Sequence, residues 1–516
     1  MPPDPLFLGL DIGTTGAKAL LIDAAGRVVS EALDEYALHT PRPLWSEQAP
    51  ADWWRGACAA IRRVLATPGV DADAVAAVGP TGQMHGLVLL DARGDVLRPA
   101  ILWNDQRTAD ECAEITRRVG PDRVLQFTGN PVLPGFTAPK LLWVQRNEPD
   151  VYARVAHILL PKDYVRYRLS LELYSDVADS SGTALFDVGA RRWSREMCAA
   201  LDLPAAWLPQ VVESPVVCAR VSASAAGETG LRAGTPIVGG AGDQAAQAVG
   251  AGIVDEGLIS ATIGTSGVVF AASRSYRVEP QGRLHAFCHA VPGMWHLMGV
   301  MLSAGGSLRW YRDALCELEV QQAARDGRDV YDLLCEQAAA ASPGCEGLIF
   351  LPYLSGERTP HADPAARGVF FGLTLRHTKA HLTRAVIEGV SFGLRDSLEL
   401  LRALGVTADE IHVSGGGARS TLWRQILADL FNTPIVTSTV SQGAAYGAAL
   451  LAAVGAGAFA DVPATARAAS TRAGGPAGER ISPSVNRPIY EKAYERYRAL
   501  YPALAPQFHR QAPGAD

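Results

Sequence analysis

Apolar positions near the start of the chain come in short unbroken runs cut by glycine. Phe7-Leu-Gly-Leu-Asp-Ile12 reads as a buried strand, Gly13-Thr-Thr-Gly16 as a turn and Ala17 to Asp23 as a second strand. Ala25-Gly26 then turns the chain into Val28-Val29, which completes a β-meander. The period changes afterwards. Trp54, Cys58, Ile61 and Leu65 recur at helical spacing and predict a helix over 51–65. Val75 to Gly79 predicts a strand, with Thr81-Gly-Gln-Met-His-Gly86 as the loop behind it. Residues 214–228 show no period and are expected to be irregular. Residues 236–240 read as a strand and Asp243 to Val249 as the start of a helix. Helices are predicted over 384–404 and 420–432, the second stopped by Asn432-Thr-Pro434. From about Gly474 the chain is rich in Pro and Gly before an amphipathic helix over 489–500. Gly443 to Ala460 is uncharged and long, but its Ala and Gly supply little transfer energy into lipid. A buried helix that lets other backbones approach closely is expected there, not a membrane span.

One pattern repeats. Ile12-Gly-Thr-Thr-Gly16 returns as Ile263-Gly-Thr-Ser-Gly267, 251 residues later, each copy between two apolar strands. Two such hairpin turns, one per half, suggest duplicated domains. Asp11 precedes the first turn, and Thr262 stands at the equivalent place in the second. The 516 residues are 48% hydrophobic and 19% charged, enough for a large core and too apolar for a disordered chain. A net charge of −6 without a basic block argues against a nucleic-acid partner. Eight scattered cysteines without a CxxC pair fit free thiols in a reducing compartment. Met1-Pro-Pro-Asp-Pro5 lacks a basic n-region, so no signal peptide is expected, and the protein should be cytoplasmic.

Glycine–hydroxyl turns suit phosphate, because glycine admits close approach while N–H and hydroxyl groups form an anion-binding concavity. A plain hairpin turn is the bland reading of each, and the duplication favours phosphate. The GxxxxGK[ST] loop and the HRD/DFG set are absent, so any ATP is handled by another architecture. In Gly239-Gly-Ala-Gly-Asp243-Gln-Ala-Ala, one acid stands in an uncharged strand-to-helix turn. Asp243 could cap the helix or act as a general base for a hydroxyl. The same run loosely matches the dinucleotide fingerprint, but the long βαβ context is missing. Ser414-Gly-Gly-Gly-Ala-Arg-Ser420 permits flat packing against adenine or ribose, or is only a tight connection. His285-Ala-Phe-Cys288-His289 could be a metal fragment but lacks a further ligand cluster. Trp103-Asn-Asp105 and Gln83-Met-His85 mix aromatic and polar groups in a way that suits a sugar, with core packing as the alternative.

Together these residues resemble the FGGY family of carbohydrate kinases, within the actin-like ATPase superfamily. Gly135-Phe-Thr-Ala-Pro-Lys-Leu-Leu-Trp-Val-Gln-Arg-Asn147 and the stretch from Gly368-Val-Phe-Phe-Gly-Leu373 to Ala385-Val-Ile-Glu388 carry the resemblance, which spans roughly Leu6 to Leu450. Leu44-Trp-Ser-Glu-Gln48, Gly82-Gln-Met-His-Gly86, Ile101-Leu-Trp-Asn-Asp105, Leu160-Pro-Lys-Asp163 and Tyr353-Leu-Ser-Gly-Glu-Arg-Thr-Pro-His361 are similar to the members that act on D-xylulose. The resemblance implies an α/β chain of two actin-like (ribonuclease H-like) domains around a central cleft. Residues 1–250 would carry the sugar site, the first phosphate turn and the catalytic Asp, and 251–516 the nucleotide site. It implies ATP-dependent phosphorylation of the ketose at O5, with Asp243 as the base. Asp11 would order the phosphates and Mg²⁺, directly or through water. Thr14, Thr15, Gly264 and Thr265 would lie on the phosphates, and Gly416, Gly417, Ala418 and Asn432 beside the adenosine. Met84, His85, Trp103, Asn104 and Asp243 would line the sugar. Gln244 and Thr81 depart from the usual pattern, with Asn common at the first and a small apolar residue at the second. No membrane partner is implied, and a homodimer is compatible. A kinase for another pentulose such as ribulose, or a non-enzymatic actin-type or chaperone-type nucleotide switch, is the alternative.

Overall fold

The computed structural model describes residues 4–437, 443–472 and 478–510; Gly474 and its immediate neighbours lie outside the described residues. Among the described residues there are two seven-stranded sheets, one in each half of the chain. In the first, β1 (Leu6–Ile12) pairs antiparallel with β2 (Gly16–Ile22), which pairs with β3 (Val28–Glu35). β4 (Val75–Gly82) lies parallel to β1 on the other side. The sheet continues through β5 (Val217–Arg220) and β6 (Pro236–Val238), in the order β5-β6-β4-β1-β2-β3, and β7 (Ala241–Gly242) extends the pairing along β4. The second sheet repeats the theme. β8 (Ile259–Ile263) forms a hairpin with β9 (Gly267–Ser273) and lies parallel to β12 (Ile411–Ser414). Beyond β9 come β11 (Trp295–Met301) and β10 (His285–Cys288). The 251-residue repeat is therefore a repeat of topology, a hairpin plus one parallel strand.

Helix α1 (Pro50–Leu65) covers one face of the first sheet, with Trp53, Ile61 and Val64 fully buried. The opposite face explains the uncharged Ala/Gly run. α2 (Pro161–Ser170) and α3 (Asp243–Gly250) belong to the first half, whereas α4 (Lys379–Ala403) and α5 (Gly443–Gly455) come from the second. α5 nonetheless packs on β1, β4 and α3. A Cβ on Gly9 would stand 1.8 Å from the Ala445 carbonyl oxygen, and one on Gly79 2.0 Å from that of Ala448. Only small residues allow this helix to lie so near the strands. No helix of the described residues is long and apolar enough to cross a membrane.

Some expectations change. Residues 214–228 are ordered: β5 is an edge strand with one buried side chain, and the helix Ala223–Thr229 is rich in Ala and Ser, so neither shows apolar periodicity. β4 runs to Gly82 because β7 pairs with its last two residues, and the loop begins at Gln83. α4 starts at Lys379, where Thr378 and His381 form a capping box. The last helix extends over Arg487–Arg510, well past residue 500.

Candidate active site

The carboxyl ends of β1, β4 and β7 meet at one edge of the first sheet. Asp11 pairs with Thr81 and Thr81 with Ala241, so these three side chains share a face. Asp243 follows as the first residue of α3, while Gly242 occupies the N-cap. Asp243 is thus not the cap of its helix. Burial pushes its carboxyl up to about 6, against the pull of the Gln244 backbone N–H and side chain. Burial, then the charge of Asp243, pushes Asp11 up to about 7, with Lys18 opposing. Oδ1 of Asp11 is buried and has no hydrogen-bond partner. In the second half, Thr262 Oγ1 bonds Ser414 Oγ at 2.9 Å and is satisfied. The orphaned carboxylate oxygen beside a phosphate-type turn fits a hydrated divalent cation, a hard ion that prefers oxygen ligands and keeps several waters.

The first turn is tied back from behind. The Gly13 carbonyl accepts from Tyr36 OH at 2.7 Å and Gln83 Nε2 at 3.3 Å, and the Thr14 carbonyl accepts from Gln48 Nε2 at 2.7 Å. Thr14 Oγ1 donates to Gln83 Oε1 and accepts from Trp103 Nε1 at 3.0 Å, while Thr15 is exposed. The second turn closes one residue sooner, from Gly264 N–H to the Ser266 carbonyl. Its Thr265 carbonyl accepts from Ala304 and Gly306. Gly264 and Thr265 line a cavity of about 330 Å³ together with Gly416, Gly417, Arg309, Tyr331 and Trp423. A Cβ on Gly416 would meet nothing within 4 Å, so this backbone faces open space that a flat ligand could occupy. Ala418 is buried in the same short turn, Gly416–Arg419. Asn432 is placed apart from the cavity wall, exposed and left-handed (φ 47°) at the end of the helix Thr421–Phe431.

Beyond β4, Met84 packs on Gly242, where a Cβ would stand 2.8 Å from Met84 Cγ. His85 adopts a left-handed backbone (φ 70°), unusual for a non-glycine residue. Its carbonyl accepts from Thr137 Oγ1 at 3.1 Å and Lys140 Nζ at 3.0 Å. Its Nδ1 donates to the Gly182 carbonyl at 2.7 Å, and its ring stacks on Phe136 at 4.7 Å. Burial drives the His85 imidazole down to about 3, so it is neutral with Nε2 left as an acceptor. Trp103 is 40% exposed and Asn104 Oδ1 is buried without a partner, so both have capacity for a ligand. Asp105 does not: it is paired with Arg107 at 2.7 Å and accepts from Ser46 N–H. Thr81 Oγ1 is buried without a partner, and Gln244 faces Thr262 and Ser414 across a narrow gap. The His285, Cys288 and His289 side chains do not converge; they bond Asn130, Val188 and Ile253 respectively.

Thr137 and Lys140, which hold His85, lie within the Gly135–Asn147 stretch, where nothing local in the sequence marks that role. Arg309, Tyr331 and Trp423 of the cavity wall sit far apart along the chain and carry no motif that announces them.

The descriptions of the FGGY family of carbohydrate kinases match this chain twice, the N-terminal domain over residues 6–250 and the C-terminal domain over 259–456. The xylulose kinase of Escherichia coli (strain K12) is 44% identical over 425 residues, covering 82% of this chain and 84% of that one. The crystal structure of a "xyloylose kinase" from Brucella ovis is 42% identical, with a TM-score of 0.88 over 97% of this chain and 100% of that one. The xylulose kinase structure from Rhodospirillum rubrum is 33% identical, with a TM-score of 0.89 over 98% and 100%.

Proposed function

The chain belongs to the FGGY family of carbohydrate kinases, and on that premise we propose that it transfers the γ-phosphoryl group of ATP to O5 of D-xylulose. The observation that carries the site assignment is that Asp243, raised to about 6, and Asp11, raised by burial and then by the charge of Asp243, both stand at the ends of three adjoining strands. Asp243 accepts the O5 proton as the O5–phosphorus bond forms and the bond from phosphorus to the β,γ-bridging oxygen breaks, which leaves ADP. A carboxylate raised toward neutrality is a stronger base than an ordinary one yet remains largely ionised at pH 7. Asp11, with its free oxygen, holds Mg²⁺, directly or through water. That ion supplies neutralisation of the charge on the phosphates. Thr14, Thr15, Gly264 and Thr265 take the phosphates from two sides, and the cavity behind Gly416, Gly417 and Ala418 takes the adenosine, while Asn432, apart from the cavity wall, is left without a contact to it.

Met84 and Trp103 offer apolar surface to the sugar. His85 Nε2 and Asn104 Oδ1 offer acceptors to its hydroxyls, and a site built on such groups rejects an analogue lacking the matched hydroxyl. We assign residues 1–250 to the sugar side and 251–516 to the nucleotide side. The free state of all eight cysteines supports a cytoplasmic enzyme. Phe371, Leu373 and Leu375, exposed close together in sequence, support a homodimer, which sedimentation would test. The test of the activity is ADP release across a panel of ketoses and polyols. D-xylulose should give the highest kcat/KM, and a higher value for ribulose would reassign the substrate.

A further inference from the structure

Behind the turn that carries Asp243 lies a knot of five fully buried ionisable groups, in which burial pushes the Asp179 carboxyl well above the usual range. Lys162 Nζ stands 2.6 Å from Asp163, 2.5 Å from Asp176 and 3.2 Å from Asp179. The ammonium thereby fills the centre of an acidic cluster whose spacing would otherwise suit a metal ion. Arg166, one turn along α2, donates to Asp163 Oδ1 at 2.7 Å and to the Tyr174 carbonyl. Its other terminal nitrogen, Nη1, donates to the Gly239 carbonyl at 2.6 Å. Gly239 opens the Gly-Gly-Ala-Gly turn that ends at Asp243. The next residue, Gly240, has φ +72° and lies so close to Pro80 that a Cβ would stand 1.8 Å from its carbonyl oxygen.

The knot also reaches the sugar side. Asp163 Oδ2 accepts from Ser175 Oγ at 2.7 Å, and Ser180 Oγ donates to Ser175 Oγ at 2.9 Å. Asp176 caps the short helix Val177–Ser180 through the Ala178 and Asp179 N–H groups. The chain then passes to Gly182, whose carbonyl orients the His85 ring. One buried network thus holds both the turn before Asp243 and the partner of His85.

An apolar interior would be less costly than five buried ionisable groups, so stability alone does not account for this arrangement. A guanidinium held through two nitrogens, Nη1 on the Gly239 carbonyl and Nη2 on Asp163 and the Tyr174 carbonyl, by contrast fixes direction as well as distance. We propose that Arg166 is a positioning residue for phosphoryl transfer, aiming Asp243 through the Gly239 carbonyl, so that its loss lowers kcat and not ATP affinity. This inference rests on Asp243 being the base.

Arg166→Lys keeps the charge beside Asp163, but one ammonium cannot also hold the Gly239 and Tyr174 carbonyls. It should lower kcat about tenfold with KM for ATP within twofold, since sub-ångström misplacement of a base costs rate before binding. The acid midpoint of the rate should also move down by about one pH unit, as a loosened turn lets water reach Asp243. A lower Tm with kcat and midpoint unchanged would overturn the proposal and leave Arg166 purely structural. Should Arg166→Lys fail to fold, Ser175→Ala keeps all five ionisable groups and loosens Asp163; it should lower kcat about threefold with the same shift in midpoint. Wild-type values in Ser175→Ala would also overturn the proposal. Asp243→Ala separates the two claims. If it stays active, the base assignment fails; if it is inactive while Arg166→Lys is normal, only the positioning role fails.

Discussion

The base assignment makes a quantitative prediction about pH. Asp243 is raised to about 6 by burial, so in the folded enzyme its protonated form dominates below that pH and the base is lost. With a midpoint near 6, about one molecule in eleven is ionised at pH 5 and about ten in eleven at pH 7, a tenfold change in active base. An ordinary aspartate, with a pKa of about 3.9, would show almost no change over that range. ATP titrates in the same window, so the wild-type profile alone is ambiguous. The ratio of wild-type to Asp243→Ala rates, measured with both substrates below saturation, cancels the ATP contribution. That ratio should rise about tenfold from pH 5 to pH 7 and reach about 10²–10⁴ at its plateau, the usual contribution of a general base. Asp11 is the nearby complication: raised to about 7 partly by the charge of Asp243, it titrates with it as a pair. Repeating the ratio in an Asp11→Asn background removes that coupling and should leave a single acid limb. A flat ratio between pH 5 and 7, or an Asp243→Ala enzyme with most of its kcat, would refute the reasoning.

Asp11→Asn should weaken the Mg²⁺ dependence of kcat, and an unchanged Mg²⁺ titration would remove Asp11 from the metal. Gly416→Val should raise KM for ATP several-fold while leaving thermal stability nearly unchanged, because the new side chain enters the cavity and meets no protein atom within 4 Å at its Cβ; an unaltered KM would place the nucleotide elsewhere. Gly9→Ala should destabilise by about 1–3 kcal/mol or more in urea titrations, since its Cβ would lie 1.8 Å from the Ala445 carbonyl oxygen. Xylulose with an ATP analogue should reduce the radius of gyration in small-angle scattering, and no change would indicate a preformed site.

Much of this was legible in sequence because it is local. The strand–turn–strand units show as apolar runs around glycine, and their repeat already implied two related halves. The Ala/Gly helix was legible as buried but not its place: that a segment near residue 445 lies against Gly9 and Gly79 is a long-range fact with no local signature. β5 escaped notice because an edge strand with one inward side chain has no alternation to read. At the site, Asp11 and Asp243 stood out as lone acids in apolar surroundings. Asp105 looked equally available, yet it is paired with Arg107, and the residues that hold His85 lie more than fifty positions away. Spacing identifies candidate donors; only packing decides which of them are already satisfied.

That distinction also explains how one duplicated hairpin can serve two roles. The turns at Gly13 and Gly264 share topology, flanking strands and a parallel neighbour. Their difference lies at one position on the strand before each turn. Thr262 finds Ser414 on the adjacent strand and closes its own hydrogen bond, so the second copy has no orphaned side-chain oxygen at that position. Asp11 finds Thr81 at the corresponding place and is left with an oxygen that no protein group satisfies. A buried unsatisfied carboxylate is costly, and the cost falls when a cation arrives. On the proposed reading the first copy would therefore respond to metal and the second would not. α3, which begins with Asp243, is clamped by α5, where a Cβ on Gly447 would stand 1.8 Å from the Ala246 carbonyl oxygen. α5 in turn lies against β1 and β4, so Asp11 and Asp243 are built on one tightly packed body. On the proposed reading, any approach of the two halves would leave that body intact and bring the second turn, with the cavity beside it, toward Asp11 and Asp243.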